Sequence, residues 1–229
     1  MWLRDAGNPL VRGAVGALAR VNARHPWSHN DHFHGWVLRR LPVAGRTAVD
    51  IGCGRGGLVR ALAPHVERVV GIDSDAEMRR AARACTSDLP NVRIVAGDLA
   101  DVHEPIDLVT MIAVLHHLDA PAALAQIADR LAPGGRLLVV GLAPPVSRPD
   151  KAWDLLSAAT NPIIGLAKHP RADRSAPRRP PFPVKDPTLS FDELRAVVAQ
   201  FMPGAVMRHR LAFRFTLDWR KPGRPRIPD

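Results

Sequence analysis

The sequence contains no tyrosine, only two cysteines and no long apolar run. Cys53 and Cys85 share no CxxC or Cys/His spacing, so the sequence predicts neither a disulfide framework nor a zinc site. The most apolar stretch, residues 131–147, contains Arg136 and several prolines, and a membrane span is therefore not expected. The first residues lack the basic and apolar regions of a secretory signal, so we expect a cytoplasmic protein.

The composition is otherwise that of a globular protein. The chain has 229 residues, 46% of them hydrophobic and 24% charged, which predicts one packed domain, with or without an appendage. The formal net charge is +10, and residues 168–229 carry 14 basic against 6 acidic side chains. Base stacking would require aromatic side chains, and the basic cluster 168–179 contains no Phe, Trp or Tyr. A solvated arginine-rich surface is therefore favoured over a nucleic-acid track.

From residue 46 the chain alternates short apolar segments with helical patterns, which is typical of βαβ units and a parallel sheet. Strands are predicted at 47–51, 68–72, 92–96, 106–114 and 136–142, with helices at about 55–63, from 74 onward and at 119–131. Further elements flank this repeat: two helices within 9–41, a helix around 151–166, an extended, mobile proline-rich loop at 170–187, a helix at 190–201 and two strands within 205–219.

Glycines follow the first predicted strand at positions 52, 54, 56 and 57. At a strand-to-helix turn, glycines permit positive φ and let a ligand approach the main chain closely. The spacing Gly52-x-Gly54-x-x-Gly57 matches the dinucleotide fingerprint, and Asp73 follows about 20 residues later, where a ribose-binding carboxylate belongs. The loop by itself leaves the kind of nucleotide open.

Asp50, two residues before the first glycine, favours a cationic ligand. A pyrophosphate at this turn would be repelled by the carboxylate by several kcal/mol at an effective dielectric constant of about 20. S-adenosylmethionine carries ammonium and sulfonium groups, which such a carboxylate attracts, and its ribose still needs an acid at position 73. Asp50, Asp73 and Asp98 each end a predicted strand at the carboxyl edge, where sheets of this kind bind ligands.

Linked motifs run through residues 46–142. They are Asp50-x-Gly52-x-Gly54-x-Gly56, Gly71-Ile72-Asp73-Ser74, Ala96-Gly97-Asp98-Leu99, Asp107-Leu108-Val109 through Leu115-His116-His117-Leu118, and the turn Leu131-Ala132-Pro133-Gly134-Gly135-Arg136-Leu137. Together they resemble the class I S-adenosylmethionine-dependent methyltransferases, in particular the small-molecule, type 11/25-like branch. The resemblance implies an α/β fold with a Rossmann-like, doubly wound, seven-stranded and mostly parallel sheet, an antiparallel C-terminal strand and an N-terminal helical lid.

The resemblance also implies S-adenosylmethionine as cofactor and S-adenosylhomocysteine as product. In that family the acid after the second strand binds both ribose hydroxyls, and the third acid with the following amide faces the adenine. The predicted cofactor-binding residues are Asp50, Gly52, Cys53, Gly54, Gly56, Asp73, Ser74, Met78, Asp98, Leu99, Ala113 and, from the N-terminal helix, Phe33. The predicted regions are an N-terminal helical lid at 1–44, the cofactor-binding α/β core at 45–143, an acceptor-side helix and Pro/Arg-rich loop at 144–189, and a C-terminal helix and strands at 190–229.

Histidines are the candidate catalytic residues, because an ordinary pKa near 6.5 suits proton removal at neutral pH. His116 and His117 follow the fourth strand, although the same Leu-His-His-Leu segment in related methyltransferases that act on many acceptors suggests a structural role instead. His29 and His34 belong to a histidine-rich segment, residues 25–34, and are predicted acceptor-side groups. No metal is predicted, since two of that segment's histidines, at 32 and 34, would point to different helix faces.

The sequence therefore predicts a methyltransferase that acts on oxygen or nitrogen of a small organic acceptor, in specialised metabolism. Two alternatives stay open: an RNA methyltransferase that uses the basic C-terminal quarter, and a non-catalytic binding protein on the same fold. Residues 110–113 read Thr-Met-Ile-Ala, not the Asn-Pro-Pro-Tyr or Asp-Pro-Pro-Tyr typical of base amino-group methylation, so a nucleic-acid partner is not favoured. The oligomeric state is left open.

Overall fold

A computed structural model describes residues 28–42, 45–168 and 185–223. Seven strands form one sheet: β1 (Thr47–Ile51), β2 (Arg68–Ile72), β3 (Val92–Val95), β4 (Ile106–Ile112), β5 (Leu131–Gly141), β6 (Val206–Arg210) and β7 (Arg214–Arg220). The helices are α1 (His34–Leu38), α2 (Gly57–Leu62), α3 (Ala76–Cys85), α4 (Ala120–Arg130), α5 (Arg148–Lys168) and α6 (Phe191–Phe201). Short 3₁₀ turns lie at Asp31–Phe33, Ala63–His65, Leu99–Asp101 and Leu115–His117.

The sheet has the strand order β3-β2-β1-β4-β5-β7-β6. Strands β1 to β5 pair in parallel, whereas β7 runs antiparallel to both β5 and β6. The Rossmann-like, mostly parallel sheet with an antiparallel C-terminal strand is thus confirmed. Because the chain order reverses between β1 and β4, the crevice at their carboxyl ends is the expected ligand position.

Both faces of the sheet are covered by helices. Alternate residues of β5 enter two separate hydrophobic clusters, Leu137 and Val139 in one, Leu138 and Val140 in the other. The first cluster includes α4 and α6, and the second includes α1 and α2. A period of two with apolar residues on both sides is what a strand buried between two helical layers requires. The sheet edge that holds the ligand crevice is therefore fixed by packing on both faces.

Two strand ends differ from the sequence expectation by more than one residue. Strand β5 begins at Leu131, before the predicted start at Arg136, because Leu131 already pairs with Ile106 and the register then shifts so that Arg136 faces Leu108. The Pro-Gly-Gly segment predicted as a turn is thus a bulge inside the strand. Strand β4 ends at Ile112 and not at 114, since the next residue has a positive φ of 59°.

The N-terminal segment that the structure describes is fastened to the sheet. Asp218 of β7 accepts from Arg40 Nε at 3.2 Å and from two nitrogens of Arg136 at 2.8 Å. The Arg40 guanidinium also lies 4.8 Å from the centre of the Trp36 ring, which is itself buried. The first helix predicted within 9–41 and most of the predicted loop at 170–187 lie outside the described residues. Of the helices that are described, none is long and apolar enough to cross a membrane.

Candidate active site

The glycine loop after β1 is a turn that requires glycine. Gly52, Gly54 and Gly56 have φ values of 68°, 53° and 80°. Residues other than glycine rarely adopt this left-handed backbone region. A Cβ on Gly52 would lie 2.2 Å from Val114 Cγ2, and one on Gly56 would lie 3.0 Å from the Ala82 Cα. The loop is therefore packed tightly between α3 and the segment that follows β4.

Asp73 connects the glycine loop to the start of α3. Its Oδ2 accepts from the Gly54 amide at 2.8 Å, and its Oδ1 accepts from the Asp75 amide at 2.9 Å. Each carboxylate oxygen can still accept another hydrogen bond, so both ribose hydroxyls of a nucleotide can be held here. Asp75 caps α3 by accepting from the amides of Glu77 and Met78, as its position at the helix start predicts. Ser74 is exposed at this edge.

Asp50 is a buried acid at the end of β1. Only 3% of the residue is exposed, and its Oδ1 accepts from the Thr110 hydroxyl at 2.7 Å. Burial, with a smaller contribution from the charge of Asp73, raises the pKa of Asp50 to about 7 against the opposing effect of the Thr110 hydrogen bond. No basic side chain among the described residues lies within salt-bridge distance of it. A cation in this crevice would therefore stabilise its ionised form.

Asp98 and Leu99, the pair assigned to the adenine, contact each other. The Asp98 carboxylate accepts from the Leu99 amide, and the Asp98 amide donates to Asp101 Oδ2 at 2.9 Å. The two acids thus form a capping box on the 3₁₀ turn Leu99–Asp101. The Asp98 side chain is exposed while Leu99 is buried in the core. The carboxylate is accessible, and an adenine here would share the Leu99 amide with it.

Three further residues assigned to the cofactor are buried beside the loop. Cys53, Phe33 and Met78 are each less than a tenth exposed, and the first two belong to one hydrophobic cluster. Burial, together with the charges of Asp50 and Asp73, raises the pKa of the Cys53 thiol. The thiol is therefore a space-filling group and not a nucleophile, as its position between two glycines predicts.

Ala113, at the end of β4, has a positive φ although it is not a glycine. Its φ is 59°, and its amide donates to the Val140 carbonyl at 2.7 Å. Such a conformation is disfavoured for residues with a Cβ and persists where surrounding contacts hold it. It turns the chain from β4 into the Leu115–His117 turn and so directs the two histidines away from the strand.

His116 and His117 lie side by side after this turn. Their ring centres are 4.3 Å apart. Burial lowers the pKa of His116 to about 4, with contributions from the charges of His117 and Arg214. Its buried Nδ1 has no hydrogen-bond partner within the described part of the chain. His116 is therefore neutral at physiological pH, and a neutral imidazole can donate one hydrogen bond and accept another.

The structure separates the other two candidate histidines. His29 Nε2 lies 2.8 Å from the Asn161 Oδ1 on α5, and its ring centre lies 6.4 Å from that of Phe213. His34 instead faces the start of α2, since a Cβ on Gly57 would lie 3.3 Å from its Cε1. Burial lowers the pKa of both histidines. One candidate thus contacts α5 and the other lies beside the glycine loop. Position 25, the first residue of the histidine-rich segment, lies outside the described residues.

Two cavities adjoin this site at the carboxyl ends of β4 and β5. The His116 cavity surrounds about 360 Å³ of open space, and the Arg214 cavity about 370 Å³. The His116 cavity is lined by Leu115, His116, Leu118, Ala120, Gly141, Leu142, Pro187, Thr188, Leu189, Leu194 and Phe215. The Arg214 cavity is lined by Ala143, Pro144, Pro145, Asp150, Trp153, Asp154, Ser157, Phe191, His209, Arg210, Phe213, Arg214 and Phe215. Phe215 is common to both, so the cavities are neighbours.

The polar groups of the Arg214 cavity were not identified by sequence reasoning. His209 Nε2 lies 2.7 Å from Asp150 Oδ1, and the His209 ring stacks on that of Phe191 with centres 3.9 Å apart. In the sequence, Arg214 is one of many basic residues in the C-terminal quarter, and nothing local distinguishes it. Only the pairing of β7 with β5 brings it to the site.

Comparison with known proteins agrees with this architecture. A family model described as a methyltransferase domain matches residues 49–139. An uncharacterized methyltransferase of Mycobacterium tuberculosis is 31% identical over 205 residues, which cover 86% of this chain and 98% of that protein. Trans-aconitate 2-methyltransferase of Deinococcus radiodurans is 35% identical over 116 residues, 49% of this chain and 43% of that protein.

Among solved structures, the fold is similar to that of a SAM-dependent methyltransferase from Aquifex aeolicus. The TM-score is 0.56 at 16% identity, and the match covers 89% of this chain and 97% of the other. The two chains thus share a fold. The Mycobacterium tuberculosis relative, at 31% identity over most of both chains, shows the family as well as the fold. The chain belongs to the class I S-adenosylmethionine-dependent methyltransferases, and S-adenosylmethionine is its cofactor.

The residues at the edge fit this cofactor. Asp50 is a buried carboxylate without a basic partner in the described residues, as a site for a cationic ligand requires. Asp73 keeps acceptor capacity on both oxygens for a ribose. The glycine loop between them lets the ligand approach the main chain.

Proposed function

We propose that this protein transfers the methyl group of S-adenosylmethionine to an oxygen or nitrogen of a small organic acceptor. The observation that carries the proposal is the His116 cavity beside the glycine loop. Val114, which packs on Gly52, is followed directly by Leu115 and His116 in the cavity wall. The wall is mostly apolar with few polar groups, as is typical of small-molecule sites.

We assign the cofactor to the carboxyl edge. Asp50 would attract its cationic groups, Asp73 would hold the ribose hydroxyls, and Asp98 with the Leu99 amide would face the adenine. Gly52, Gly54 and Gly56 would let the cofactor approach the main chain closely. The residues around the cofactor would be Cys53, Ser74, Met78, Ala113 and Phe33. When bound, the cofactor supplies an electrophilic methyl carbon on a sulfonium, and the remaining work belongs to the protein.

That work is alignment and the exclusion of water. A neutral His116 can accept a hydrogen bond from an acceptor hydroxyl or amine and so orient its lone pair. A strongly lowered pKa makes His116 a poor store for a proton, so we assign it orientation first and proton removal second. His117, beside it, and His29 and His34 from the N-terminal segment remain candidates for the proton.

Small acceptors are favoured over nucleic acid. The trans-aconitate relative is named for a small-molecule acceptor, which supports this choice. The two cavities are partly open and are lined by residues of the α4, α5 and α6 region and the adjoining strands. Acids as well as bases line the Arg214 cavity, so it is not a uniformly basic groove. An RNA acceptor would instead give a binding constant that falls with salt at a log-log slope of about −0.7 per neutralised phosphate.

The test measures cofactor binding and methyl transfer in the same preparation. Calorimetry with S-adenosylhomocysteine should show that Asp73→Asn weakens binding by about 5- to 150-fold, because a buried hydrogen bond to a charged group is worth about 1 to 3 kcal/mol. The exposed Asp129 provides the matched control, and Asp129→Asn should bind as the wild type does. Production of S-adenosylhomocysteine with hydroxyl- and amine-bearing acceptors then identifies the atom. Unchanged affinity in Asp73→Asn would show that the nucleotide is misplaced, and transfer only to RNA would overturn the small-acceptor assignment.

A further inference from the structure

Arg214, at the start of β7, is a largely but not fully buried cation without a counter-charge among the described residues. Its side-chain nitrogens donate to the carbonyls of Ala212 and Phe213 at 3.4 and 3.3 Å and to the Asn30 Oδ1 at 3.1 Å. Among the residues that the structure describes, no carboxylate lies within 4 Å of the guanidinium and Nε has no partner. All three of its partners are neutral oxygens, so its charge is uncompensated by the protein described.

Such an arrangement is costly unless a ligand completes it. Charged groups are rarely removed from most of their water without a partner, because the loss of hydration exceeds what neutral dipoles return. Burial lowers the pKa of Arg214 to about 10, which still leaves it charged at neutral pH. The nearby histidines His29 and His116 supply no counter-charge, because an imidazole is neutral or cationic, and burial together with the charge of Arg214 lowers the pKa of both.

The acids of the same cavity are also not partners of Arg214. Asp150 is hydrogen-bonded to His209 at 2.7 Å and to the Ser147 amide at 2.8 Å. Burial raises the pKa of Asp154, and its Oδ2 has no hydrogen-bond partner in the described residues. Neither acid lies within salt-bridge distance of the guanidinium. The positive end of the cavity is therefore distinct from its acidic wall on α5.

Aromatic rings form much of the rest of the wall. Trp153 and Phe191 both stack with the His209 ring, with ring centres 6.1 and 3.9 Å from it and interplanar angles of 6° and 29°. Phe213 and Phe215 flank Arg214 in the sequence and line the same cavity. Flat apolar walls next to a guanidinium suit a planar molecule that ends in an anion.

We infer that the acceptor carries a carboxylate that binds Arg214 and a flat apolar body that lies against these rings. This inference rests on the proposed function, since it specifies the acceptor of the same reaction. Arginine pairs with carboxylates through two parallel hydrogen bonds, and such charged pairs are roughly twice as strong as neutral ones. Phe215, which lines both cavities, allows one molecule to place its acid end at Arg214 and its reacting end toward His116.

The test compares matched acids, amides and amines on the protein saturated with S-adenosylhomocysteine. The probes are 4-hydroxybenzoate, 4-hydroxybenzamide and 4-hydroxybenzylamine, with cinnamate and cinnamamide as a second pair, each titrated by calorimetry. We expect the acids to bind at least about tenfold more tightly than the amides and amine. Arg214→Gln should reduce that preference to less than about twofold while S-adenosylhomocysteine still binds, and Arg214→Lys should retain part of it.

The matched control is Arg208→Gln, which removes the same charge from an exposed position of β6 outside both cavities. It should keep the full preference for acids. Equal or tighter binding of the amides or amine by the wild type would overturn the inference, and so would no binding of any probe up to about 10 mM or an acid preference that survives Arg214→Gln. The wild-type ranking decides even if the Arg214 variants do not fold.

The same titrations separate this inference from the proposed function. An Arg214-dependent preference for acids without any methyl transfer to them would sustain the binding site and count against the methyl-transfer proposal. Methyl transfer to neutral acceptors alone, with S-adenosylhomocysteine bound normally, would sustain the proposed function and overturn the carboxylate.

Discussion

The cofactor edge and the two cavities named for His116 and Arg214, which we call the acceptor end after their proposed role, differ in how their polar groups are hydrogen-bonded. At the cofactor edge, the carboxylates of Asp73 and Asp98 accept hydrogen bonds from backbone amides one to nineteen residues away. At the acceptor end, buried atoms of His116, Arg214 and Ser157 have no partner in the described chain. The first region is complete in itself, whereas the second holds polar groups that a ligand can satisfy.

The two regions therefore differ in how far their polar groups are already held in place before a ligand binds. A site whose acids are already fixed by the backbone costs little to organise when the cofactor binds. Asp50 is the exception at that edge, because its charge is buried without a basic partner in the described residues. It lies where a cation is expected, just as Arg214 lies where we expect an anion. Uncompensated buried charge is thus the common mark of both binding positions.

The largest effect should come from breaking the rigidity of the cofactor edge at Gly52. Gly52→Ala places a side chain at a φ of 68° and a Cβ 2.2 Å from Val114 Cγ2. A left-handed backbone with a Cβ costs about 1 to 2 kcal/mol, and overpacking costs about 1 to 3 kcal/mol. We expect the free energy of unfolding, measured by urea denaturation, to fall by about 2 to 5 kcal/mol.

A double-mutant cycle identifies the clash as the cause. Val114→Ala removes both methyl carbons that the new Cβ would meet, at 2.2 and 3.0 Å. The double variant should therefore be more stable than the sum of the single effects predicts, by at least about 1 kcal/mol. Simple additivity would mean that the loop relaxes away from Val114 and that the edge is less rigid than described.

This edge is also the part that the sequence predicts best. The glycines, Asp50, Asp73 and Asp98 lie next to predicted strands, and parallel strands bring their carboxyl ends to one edge whatever the details of packing. The residue types that close a turn or cap a helix are local, so Asp75 as the cap of α3 follows from its position. The strands of the sheet could likewise be predicted from local apolar segments, apart from the exact ends of some of them, chiefly β4 and β5.

The second largest effect concerns the buried charge of Asp50. Its pKa is raised from an ordinary value to about 7 in the folded protein, so the folded state binds more protons than the unfolded state between about pH 4 and 7. Stability therefore falls as the pH rises through that window. Because each pKa unit corresponds to about 1.4 kcal/mol, Asp50→Asn should be about 2 to 4 kcal/mol more stable than the wild type at pH 8.

Urea denaturation of the ligand-free protein at pH 8 and pH 5 checks this. The gain in the variant should shrink at pH 5, where the wild-type carboxyl is protonated, and exposed Asp129→Asn should show no gain at either pH. Binding of S-adenosylhomocysteine to the wild type should weaken as the pH falls below about 7, whereas Asp50→Asn should bind weakly at pH 8 and approach the wild type at pH 5. A variant that is less stable at pH 8 would mean that the carboxylate has a partner in the folded protein.

The acceptor end could not be predicted because its contacts span the chain. Asp150 and His209 are 59 residues apart, and Arg214 and Asn30 are 184 apart. No periodicity within one element reports such pairs, and only the antiparallel placement of β7 between β5 and β6 brings them together. The prediction of His29 as an acceptor-side group rests on its place in the histidine-rich segment of the N-terminal lid, and the structure adds its contact with Asn161.

The smallest expected effect compares two serines, one from each kind of environment. Ser157, on α5 in the Arg214 cavity, is fully buried, and its hydroxyl has no partner in the described residues. Ser190 is also buried, but its hydroxyl accepts from the Glu193 amide and caps α6. Ser190→Ala should cost about 1 kcal/mol of unfolding free energy because a helix cap is lost. Ser157→Ala should change the ligand-free protein by less than about 0.5 kcal/mol or stabilise it, because an unsatisfied buried hydroxyl contributes nothing favourable. Equal losses in the two variants, measured by urea denaturation under the same conditions, would show that the acceptor end satisfies its polar groups internally and would remove the contrast between the two regions.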